Sequence, residues 1–303
     1  MSTDVTVGVD IGGTTTRVVA FAASGDVLSE RLSATPQGGA AVIEHVVGEL
    51  AAVVAGRRVR HVGVGIPGRV TADGAVAMAL NVGITDPVPL AGELADRLGV
   101  PVVVENDVNA AALAALAAIG AGTSLTYISI GTGFAVGSIV DGNVVRGATG
   151  GAGELGHVPI PGETVPCVCG QRGCIEAIVS GRALSDAAGA LGLGDTPTVT
   201  DLWSAAEAGN ADAIALRARA VAALAWSAQV AVLMLDVDHV VFGGGVSELG
   251  APLLDPIRAV LLAREAESPW LASVAPAARL RLAPGNGHLG AIGADLSARH
   301  RLS

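Results

Sequence analysis

The sequence predicts an α/β protein of two lobes, with its functional site in the cleft between them. Short apolar strands alternate with helical segments along the chain, which is the pattern of an α/β fold. A turn rich in glycine and threonine follows the first strand, and a similar turn follows another strand about 120 residues later. This recurrence indicates a weak internal duplication. The 303 residues are enough for two medium domains around a cleft.

The first half of the chain supplies the first lobe. Residues 5–10 form a predicted strand that ends in Ile-Gly-Gly-Thr, and residues 18–21 resume as its hairpin partner before Ser24-Gly25-Asp26 turns the chain back. The remaining elements are predicted helices over residues 40–55, 90–98 and 108–119, and predicted strands over residues 62–66 and 101–104.

A second cycle of elements begins near residue 125. Its predicted strands cover residues 125–130, 135–140 and 238–242, and its predicted helices cover residues 202–209, 212–235 and 290–299. We expect residues 1–115 plus about 292–303 to form the N-terminal lobe, and residues 116–291 to form the C-terminal lobe.

The acidic composition excludes several classes of function. The net charge of −10 repels phosphate backbones, so we expect no nucleic-acid partner. All 18 basic residues are arginines. The absence of lysine rules out a Walker A loop, a Schiff-base enzyme and the β3 lysine of a protein kinase.

Neither a leader nor a membrane span is predicted. The start, Met1-Ser-Thr-Asp, has no basic region before an apolar stretch. The longest apolar segment, residues 221–235, is interrupted by Ser227 and Gln229, which is typical of a buried helix. We therefore expect a cytoplasmic protein without a membrane partner.

Three glycine turns at strand ends predict a nucleotide site. Glycine lacks a Cβ, so such a turn can expose backbone N–H groups to an anion. A single turn of this kind is more often only a tight hairpin, but three of them suit a nucleotide. Threonine hydroxyls add donors, and an aspartate at the end of the first strand is placed to hold Mg²⁺. The residues concerned are Asp10, Gly12, Gly13, Thr14, Thr15, Gly131, Thr132, Gly133, Gly243, Gly244 and Gly245.

An acidic residue follows the strand over residues 101–104. Asp107 falls where a helix begins, so helix capping is one interpretation. In a kinase, an aspartate here can instead accept the proton of the hydroxyl group that attacks the γ-phosphate. The glycine turns favour the catalytic interpretation, and we interpret the neighbouring Glu105 as structural.

Four potential zinc ligands, His157, Cys167, Cys169 and Cys174, fall within 18 residues. They include every cysteine of the chain, and an odd, clustered set favours a metal over a disulfide framework. Structural zinc takes four such ligands in a tetrahedron and leaves no position for a substrate water. Reduced cysteines in a loop and redox chemistry are the alternatives.

These motifs resemble those of the ROK family of sugar kinases and repressors. The matching segments are Asp10-Ile-Gly-Gly-Thr14, Glu105-Asn106-Asp107, Gly131-Thr132-Gly133, the segment 151–157 and the highly specific segment 167–176. The resemblance runs from about residue 5 to about residue 295. It implies a two-lobed actin-like ATPase (ribonuclease H-like) fold, and phosphorylation of the 6-hydroxyl group of a hexose with ATP and Mg²⁺.

The resemblance also assigns roles to individual residues. Asp107 becomes the catalytic base, and Gly243-Gly244-Gly245 becomes the adenosine turn. The zinc would order the loop over residues 161–173 and leave the second ring nitrogen of His157 for the sugar. The residues that the resemblance places at the sugar are Gly68, Asn81, Asn106, Asp107, Glu154, His157 and Glu176.

Three departures from the family pattern concern the sugar. The helix after Asn109 lacks a glutamate, Ile84 stands where tryptophan is common, and Phe134 follows the second turn in place of a longer glycine run. Glucose is the leading candidate substrate. Amino sugars such as N-acetylmannosamine, N-acetylglucosamine or kanosamine are the alternative.

Two further hypotheses are a non-catalytic sugar sensor and a sugar-responsive repressor. A repressor would carry a helix-turn-helix before the first strand, whereas that strand starts at Val5 and the charge is acidic. For the kinase we expect a hexose and ATP as partners, and a homodimer or homotetramer.

Overall fold

The chain folds into two units, each built on a five-stranded sheet. A computed structural model describes residues 4–285 and 287–303. The first unit consists of Met1–Ala121, Val144–Ala152 and Gly285–Ser303, and the second of Gly122–Asn143 and Gly153–Pro284.

Groups of short strands and groups of helices follow one another along the chain. Up to residue 121 they are β1 (Asp4–Ile11), β2 (Thr15–Phe21), β3 (Val27–Ala34), α1 (Gly39–Val54), β4 (Arg58–Ile66), β5 (Arg69–Val70), β6 (Val76–Met78), α2 (Leu90–Leu98), β7 (Val102–Asn106) and α3 (Asp107–Ile119). From residue 122 they are β8 (Leu125–Ile130), β9 (Phe134–Val140), β10 (Asn143–Val144), α4 (Glu176–Val179), α5 (Gly181–Ala190), α6 (Val199–Glu207), α7 (Ala211–Leu235), β11 (His239–Gly243), α8 (Ala251–Glu267), α9 (Pro269–Val274), β12 (Leu280–Leu282) and α10 (Leu289–Leu302).

The sheet of the first unit has the strand order β3-β2-β1-β4-β7. β1 pairs antiparallel with β2, in a register that sets Asp10 opposite Arg17, and β2 pairs antiparallel with β3. β4 pairs parallel with both β1 and β7. The carboxyl ends of β1, β4 and β7 therefore meet at one edge of the sheet, where Asp10 and Asn106 stand.

The sheet of the second unit repeats this design. Its order is β10-β9-β8-β11-β12, with β8 antiparallel to β9 and parallel to β11, and with β11 parallel to β12. In both sheets a hairpin is followed by two parallel strands on the far side of its first strand. The predicted α/β class and the weak internal duplication are confirmed by this common order.

Aliphatic side chains fill a separate core in each unit. In the first unit the valines and isoleucines of β1 and β4 pack against Val42, Val46 and Leu50 of α1. In the second unit the central helix α7 buries many alanines together with Leu224 and Val232. Small side chains allow elements to approach closely, which suits a chain with so few aromatic residues.

Several elements and boundaries differ from the sequence-based expectation. β3, α5, α8 and α9 carry no predicted counterpart. β3 is an edge strand whose side chains are mostly exposed on both faces, so it lacks the buried alternation that marks a strand. The structure also assigns residues 116–121, 144–152 and 285–291 to the first unit, whereas the prediction places them in the second lobe.

Helix α7 is long and apolar enough to cross a membrane by length and composition alone. Half of its most apolar window is nevertheless buried within the protein, and core helices pass the same test. Its alanines pack in the core of the second unit, as predicted for a buried helix.

Two glycines allow α10 to pack directly against α3 and β4. A Cβ atom on Gly293 would stand 1.7 Å from the carbonyl oxygen of Ala110 in α3. A Cβ atom on Gly63 of β4 would stand 1.9 Å from the carbonyl oxygen of Ala294. Both distances are far inside van der Waals contact, so α10 could not keep its position with any larger residue at either place.

The substitution Gly293→Ala should therefore destabilise the protein by at least about 2 kcal/mol, because backbone rather than a flexible side chain must move. Gly48→Ala is the matched control: Gly48 is exposed in the middle of α1 and its Cβ would meet nothing within 4 Å. That variant should gain about 0.5–1 kcal/mol from helix propensity. Urea denaturation measures both, and equal effects would refute the close-contact argument.

Candidate active site

The first glycine turn joins β1 to β2 and exposes two threonine side chains. Its own carbonyl groups are occupied, since Gly12 O accepts from Thr35 Oγ1 at 2.8 Å and Thr14 O accepts from Thr35 N at 3.0 Å. Thr14 and Thr15 are exposed. Within the turn Gly12 N donates to Thr15 O at 2.8 Å, so the donors that remain exposed include the hydroxyl groups of Thr14 and Thr15, which can bind an anion.

Asp10 stands at the end of β1 beside this turn. Burial raises the pKa of its carboxyl group, and the positive charge of Arg17 acts in the opposite direction. A Cβ atom on Gly290, in the first turn of α10, would lie 2.3 Å from the Asp10 carboxyl group. Gly290 therefore makes room for Asp10, a role that sequence reasoning missed because the two residues are distant in the chain.

The junction of β7 and α3 separates the roles of Asn106 and Asp107. Asn106 is the N-cap of α3, since its Oδ1 accepts from Val108 N at 3.0 Å and from Asn109 N at 3.1 Å. Its Nδ2 donates to Gly68 O at 3.0 Å. Because Asn106 caps the helix, the capping interpretation of Asp107 loses its basis, and Asp107 is the first residue of the helix itself.

The Asp107 carboxyl group lies in surroundings that oppose its ionisation. Burial raises its pKa to about 7, and the nearby charge of Asp10 acts in the same direction. A hydrogen bond from Val108 N to Asp107 Oδ1, at 2.9 Å, stabilises the carboxylate in part. A carboxyl group with a pKa near neutrality can both accept and return a proton at physiological pH.

Two more predicted sugar residues lie near these groups in the first unit. Gly68 has φ +102°, and a Cβ atom there would stand 2.1 Å from Met78 O. Asn81 is exposed in a short 3₁₀ helix, Leu80–Val82, and its carbonyl oxygen would lie 3.3 Å from a Cβ atom on Gly13. The first unit thus brings the first turn next to Asn81, and Gly68 next to Asn106.

In the second unit the turn Gly131-Thr132-Gly133 joins β8 to β9. Helix α5 starts against it, because Gly181 N donates to Gly131 O at 2.8 Å and Arg182 N approaches Thr132 O at 3.4 Å. On the other side, Phe134 N donates to Glu176 Oε2 at 3.0 Å. Glu176, predicted as a sugar residue, therefore also holds the end of this turn through a hydrogen bond.

A cavity of about 1000 Å³ opens beside this turn within the second unit. Its walls come from the turn, from the start of α5, from α6 and from the segment after β11. Among its lining residues Arg182 is the one cation, and Glu207 and Glu248 are the two acidic residues. The residues that line it are Gly131, Thr132, Gly181, Arg182, Ser185, Thr198, Val199, Thr200, Trp203, Ser204, Glu207, Gly245, Val246, Glu248, Leu249 and Pro252.

Only one residue of the predicted adenosine turn lines this cavity. Gly245 does so, whereas Gly243 and Gly244 pack on β8. A Cβ atom on Gly243 would overlap the Tyr127 ring, and one on Gly244 would stand 2.6 Å from the Ile130 backbone. These two glycines act through close packing, and the contributions of α5 and α6 to the cavity had no recognisable motif.

The four predicted zinc ligands come together. Their ligand atoms all lie within 4.8 Å of one another. Cys169 Sγ and Cys174 Sγ are 3.7 Å apart, and Cys167 Sγ and His157 Nδ1 are 3.8 Å apart. A tetrahedral zinc with Zn–S bonds of about 2.3 Å requires edges of about 3.6–3.8 Å, so the set fits this ion.

The surroundings of the cysteines also fit a cation. A backbone hydrogen bond from Gln171 lowers the pKa of Cys169 to about 6, whereas burial raises the pKa of Cys174 to about 12. Zinc binds thiolates, and its charge offsets the cost of ionising a buried thiol. The imidazole of His157 turns Nδ1 to Cys167 and Nε2 to Glu154, whose Oε2 lies 3.9 Å away.

The loop that carries the cysteines is anchored to the rest of the second unit. Glu163 forms a two-pronged ion pair with Arg219 of α7, and Arg219 Nε lies 2.8 Å from Glu163 Oε1. Ile160 N donates to Gly173 O at 2.9 Å, and Gln171 Nε2 donates to His157 O at 3.1 Å.

Comparison with known proteins decides the family. The model of the ROK family matches residues 6–300. The chain belongs to the ROK family. A glucokinase from Halalkalibacterium halodurans is 31% identical over 95% of this chain and 92% of its own length. An N-acetylmannosamine kinase from Vibrio cholerae is 32% identical over 80% of this chain and 84% of its own.

A solved structure confirms the fold. The ROK glucokinase from Streptomyces griseus, in complex with glucose and AMPPNP, superposes with a TM-score of 0.78 at 31% identity. The match covers 98% of this chain and 99% of that one. The predicted ROK membership and actin-like ATPase fold are therefore correct.

Within this ROK chain the predicted site residues form two groups. Those in the first unit are Asp10, Gly12, Gly13, Thr14, Thr15, Gly68, Asn81, Asn106 and Asp107. Those in the second unit are Gly131, Thr132, Gly133, Glu154, His157, Cys167, Cys169, Cys174, Glu176, Gly243, Gly244 and Gly245.

Removal of one zinc ligand should empty the Cys₃His set. We expect about one zinc per chain in the purified protein, and most of it lost in Cys174→Ser together with a lower melting temperature. Val168→Ser is the control, since Val168 lies exposed in the same loop and is not a ligand. Mass spectrometry of metals measures the content, and a metal-free wild type of unchanged stability would contradict the assignment.

The pKa of Asp107 predicts a pH-dependent cost to stability. With its folded pKa raised to about 7 from 3.8, the neutral form favours folding at low pH, and this contribution disappears as pH rises through 7. Asp107→Asn should therefore be more stable than wild type at pH 8, on the order of 1–3 kcal/mol, with a smaller difference at pH 5.5. Urea denaturation without added Mg²⁺ measures this, with Asp96→Asn on the exposed face of α2 as control. A difference that does not change with pH would refute it.

Proposed function

We propose that this protein is an ATP-dependent hexose kinase that phosphorylates the 6-hydroxyl group of its sugar, with glucose as the leading substrate. The observation that carries the proposal is Asp107, a carboxyl group with a pKa near 7 in the same unit as an exposed anion-binding turn. The glucokinase and N-acetylmannosamine kinase relatives support the assignment to the sugar kinases.

In the proposed reaction Asp107 accepts the proton of the attacking hydroxyl group as the oxygen approaches the γ-phosphate. Phosphoryl transfer needs mainly positioning and charge stabilisation from the protein. The N-cap contacts of Asn106 keep the start of α3 in place, so Asp107 is presented at a fixed point. Its raised pKa makes it a base strong enough to take the proton at neutral pH.

We propose a phosphate-binding role for each of the two glycine turns, and we assign the nucleoside of ATP to the cavity of the second unit. The cavity volume of about 1000 Å³ is large enough for a nucleoside, and Thr132 is among the residues that line it. The solved complex of the Streptomyces griseus relative with AMPPNP supports ATP as donor.

Asp10 is the residue that we propose to hold Mg²⁺. Burial raises the pKa of Asp10, and the charge of Asp10 in turn adds to the raised pKa of Asp107; a divalent cation offsets the cost of ionising both carboxyl groups. Bound there, Mg²⁺ would neutralise charge on the phosphates. Asp10 itself would orient the cation, and its own charge raises the pKa of Asp107.

We propose sugar contacts for residues of each unit. They are Gly68, Asn81 and Asn106 in the first unit, and Glu154, His157 and Glu176 in the second. His157 has a double role in this proposal, because Nδ1 faces the zinc ligands and Nε2 faces Glu154. A zinc ion held by His157 and the three cysteines would be structural, and His157, ligated through Nδ1, would keep Nε2 in place for a sugar hydroxyl group.

An amino-sugar 6-kinase is the second candidate. The N-acetylmannosamine kinase from Vibrio cholerae is as similar to this chain, at 32% identity, as the glucokinase from Halalkalibacterium halodurans at 31%. We further propose a cytoplasmic location and a homodimer or homotetramer, with the sugar and ATP as ligands.

A panel of hexoses and amino hexoses tests the function directly. With ATP and Mg²⁺ the purified protein should produce ADP and a 6-phosphate, identified by NMR, and kcat/KM should be highest for glucose. Asp107→Asn, purified in the same way, should bind sugar but lose about 10²–10⁴-fold in kcat, which controls for contaminating kinases. A higher kcat/KM for an amino hexose would select the second candidate, and no turnover with any sugar would refute both.

A further inference from the structure

Glu105 is a buried carboxylate next to the proposed base. It is the next-to-last residue of β7, directly before Asn106, and its side chain is only 3% exposed. Burial of a carboxylate is costly unless hydrogen bonds and a counter-charge compensate it. All of its contacts described below lie within the first unit.

The two oxygens of Glu105 serve different parts of the chain. Oε1 accepts from Asn106 N at 3.1 Å and from Asn109 Nδ2 at 3.1 Å. Oε2 accepts from Arg146 Nε at 3.0 Å and lies 3.4 Å from Ser297 Oγ of α10. Arg146 Nη2 also donates to Oε2, so the pair is two-pronged.

The contacts of Oε1 lie on both sides of Asp107 in the chain. Asn106 precedes it and Asn109 follows it by two residues, so one carboxylate oxygen holds the chain on both sides of the base. Asn109 is itself buried, which keeps its amide in place. The Oε2 contacts attach this arrangement to two segments distant in sequence, one of them α10.

We propose that Glu105 is a positioning residue for the phosphoryl transfer, which fixes the start of α3 around Asp107 while Arg146 orients and neutralises its carboxylate. This rests on the proposed function. A reacting group displaced by about 1 Å can lose about 10²-fold in rate. Glu105 therefore affects kcat and leaves the affinities for sugar and ATP unchanged.

The variant Glu105→Gln replaces one acceptor oxygen by an NH₂ group. The remaining amide oxygen turns to the charged Arg146, so the NH₂ group faces Asn106 N–H and Asn109 Nδ2, which are also donors. We expect kcat to fall about 10²-fold, with both KM values within threefold of wild type.

The double variant Glu105→Gln/Arg146→Met should recover part of this loss. Without the arginine, the amide oxygen can turn back to Asn106 and Asn109, so kcat should rise about tenfold above that of Glu105→Gln. A residue that only supports the fold would not give this rescue, because the double variant removes more contacts than the single one.

Asp295→Asn is the matched control. Asp295 is another buried carboxylate of the first unit, bonded to Arg299 Nε at 2.7 Å and to His61 Nε2 at 2.9 Å, with no bond to residues 105–109 among the described contacts. It should lower the melting temperature and leave kcat within threefold of wild type. An equal loss of kcat in both variants, or an unchanged kcat in Glu105→Gln, would overturn the proposal.

Amide hydrogen exchange separates this proposal from the kinase assignment. Glu105→Gln should exchange faster than wild type in the peptide over residues 104–112, and Asp295→Asn should not. Faster exchange with no turnover in wild type would refute the kinase but keep the role of Glu105 in ordering this segment. Unchanged exchange would refute that role even in an active kinase.

Discussion

The surroundings of Asp107 in the first unit oppose the ionisation of its carboxyl group. Burial and the charge of Asp10 both raise the pKa of this carboxyl group. An isolated aspartate in water is too weak a base to take a proton from a hydroxyl group at neutral pH, whereas one with a pKa near 7 is suited to it. The raised pKa lowers the stability of the folded protein at neutral pH. Hydrogen bonds from neighbouring residues fix the segment that carries Asp107.

At the β7–α3 junction three consecutive polar residues make different contacts. Asn106 caps the helix, Glu105 accepts a hydrogen bond from the backbone N–H of Asn106, and Asp107 is the residue for which we propose the catalytic role. The backbone N–H of Val108 does donate to Asp107 and lowers its pKa, but burial and the charge of Asp10 outweigh this effect. Three consecutive polar residues thus have three different tasks that their order alone does not reveal.

Close backbone approach brings the distant parts of the first unit to this point. Aromatic residues make up only 2% of the chain, so volume is filled by aliphatic and small side chains. Gly63 and Gly293 let α10 lie against β4 and α3, and Gly290 then meets the Asp10 carboxyl group. Since each contact involves rigid backbone, a single added methyl group would displace the helix that completes the surroundings of Asp10.

The loop that carries the three cysteines is held by side-chain contacts rather than by repeated backbone pairing. Between the short 3₁₀ helix at Glu154–His157 and α4, the chain forms isolated bridges such as Pro159 with Cys174, and no regular strand among the described residues. Such a segment cannot rely on repeated backbone pairing. The Cys₃His set, which is compatible with zinc, and the Glu163–Arg219 pair supply fixed points, which suits a loop for which we propose that it presents His157 in one orientation.

Local signals determined much of this protein from sequence alone. The strand ends with their glycine turns, the four zinc ligands and the Asn106-Asp107 pair are each specified within a few residues, so the α/β class and the ROK resemblance were predictable. Only the tertiary structure decided that Glu105 bonds Arg146 and Ser297, that Gly290 meets Asp10, and that α5 and α6 wall the cavity. These contacts join residues 41 to about 280 positions apart, and no local pattern can specify a partner whose distance is set by how whole elements pack.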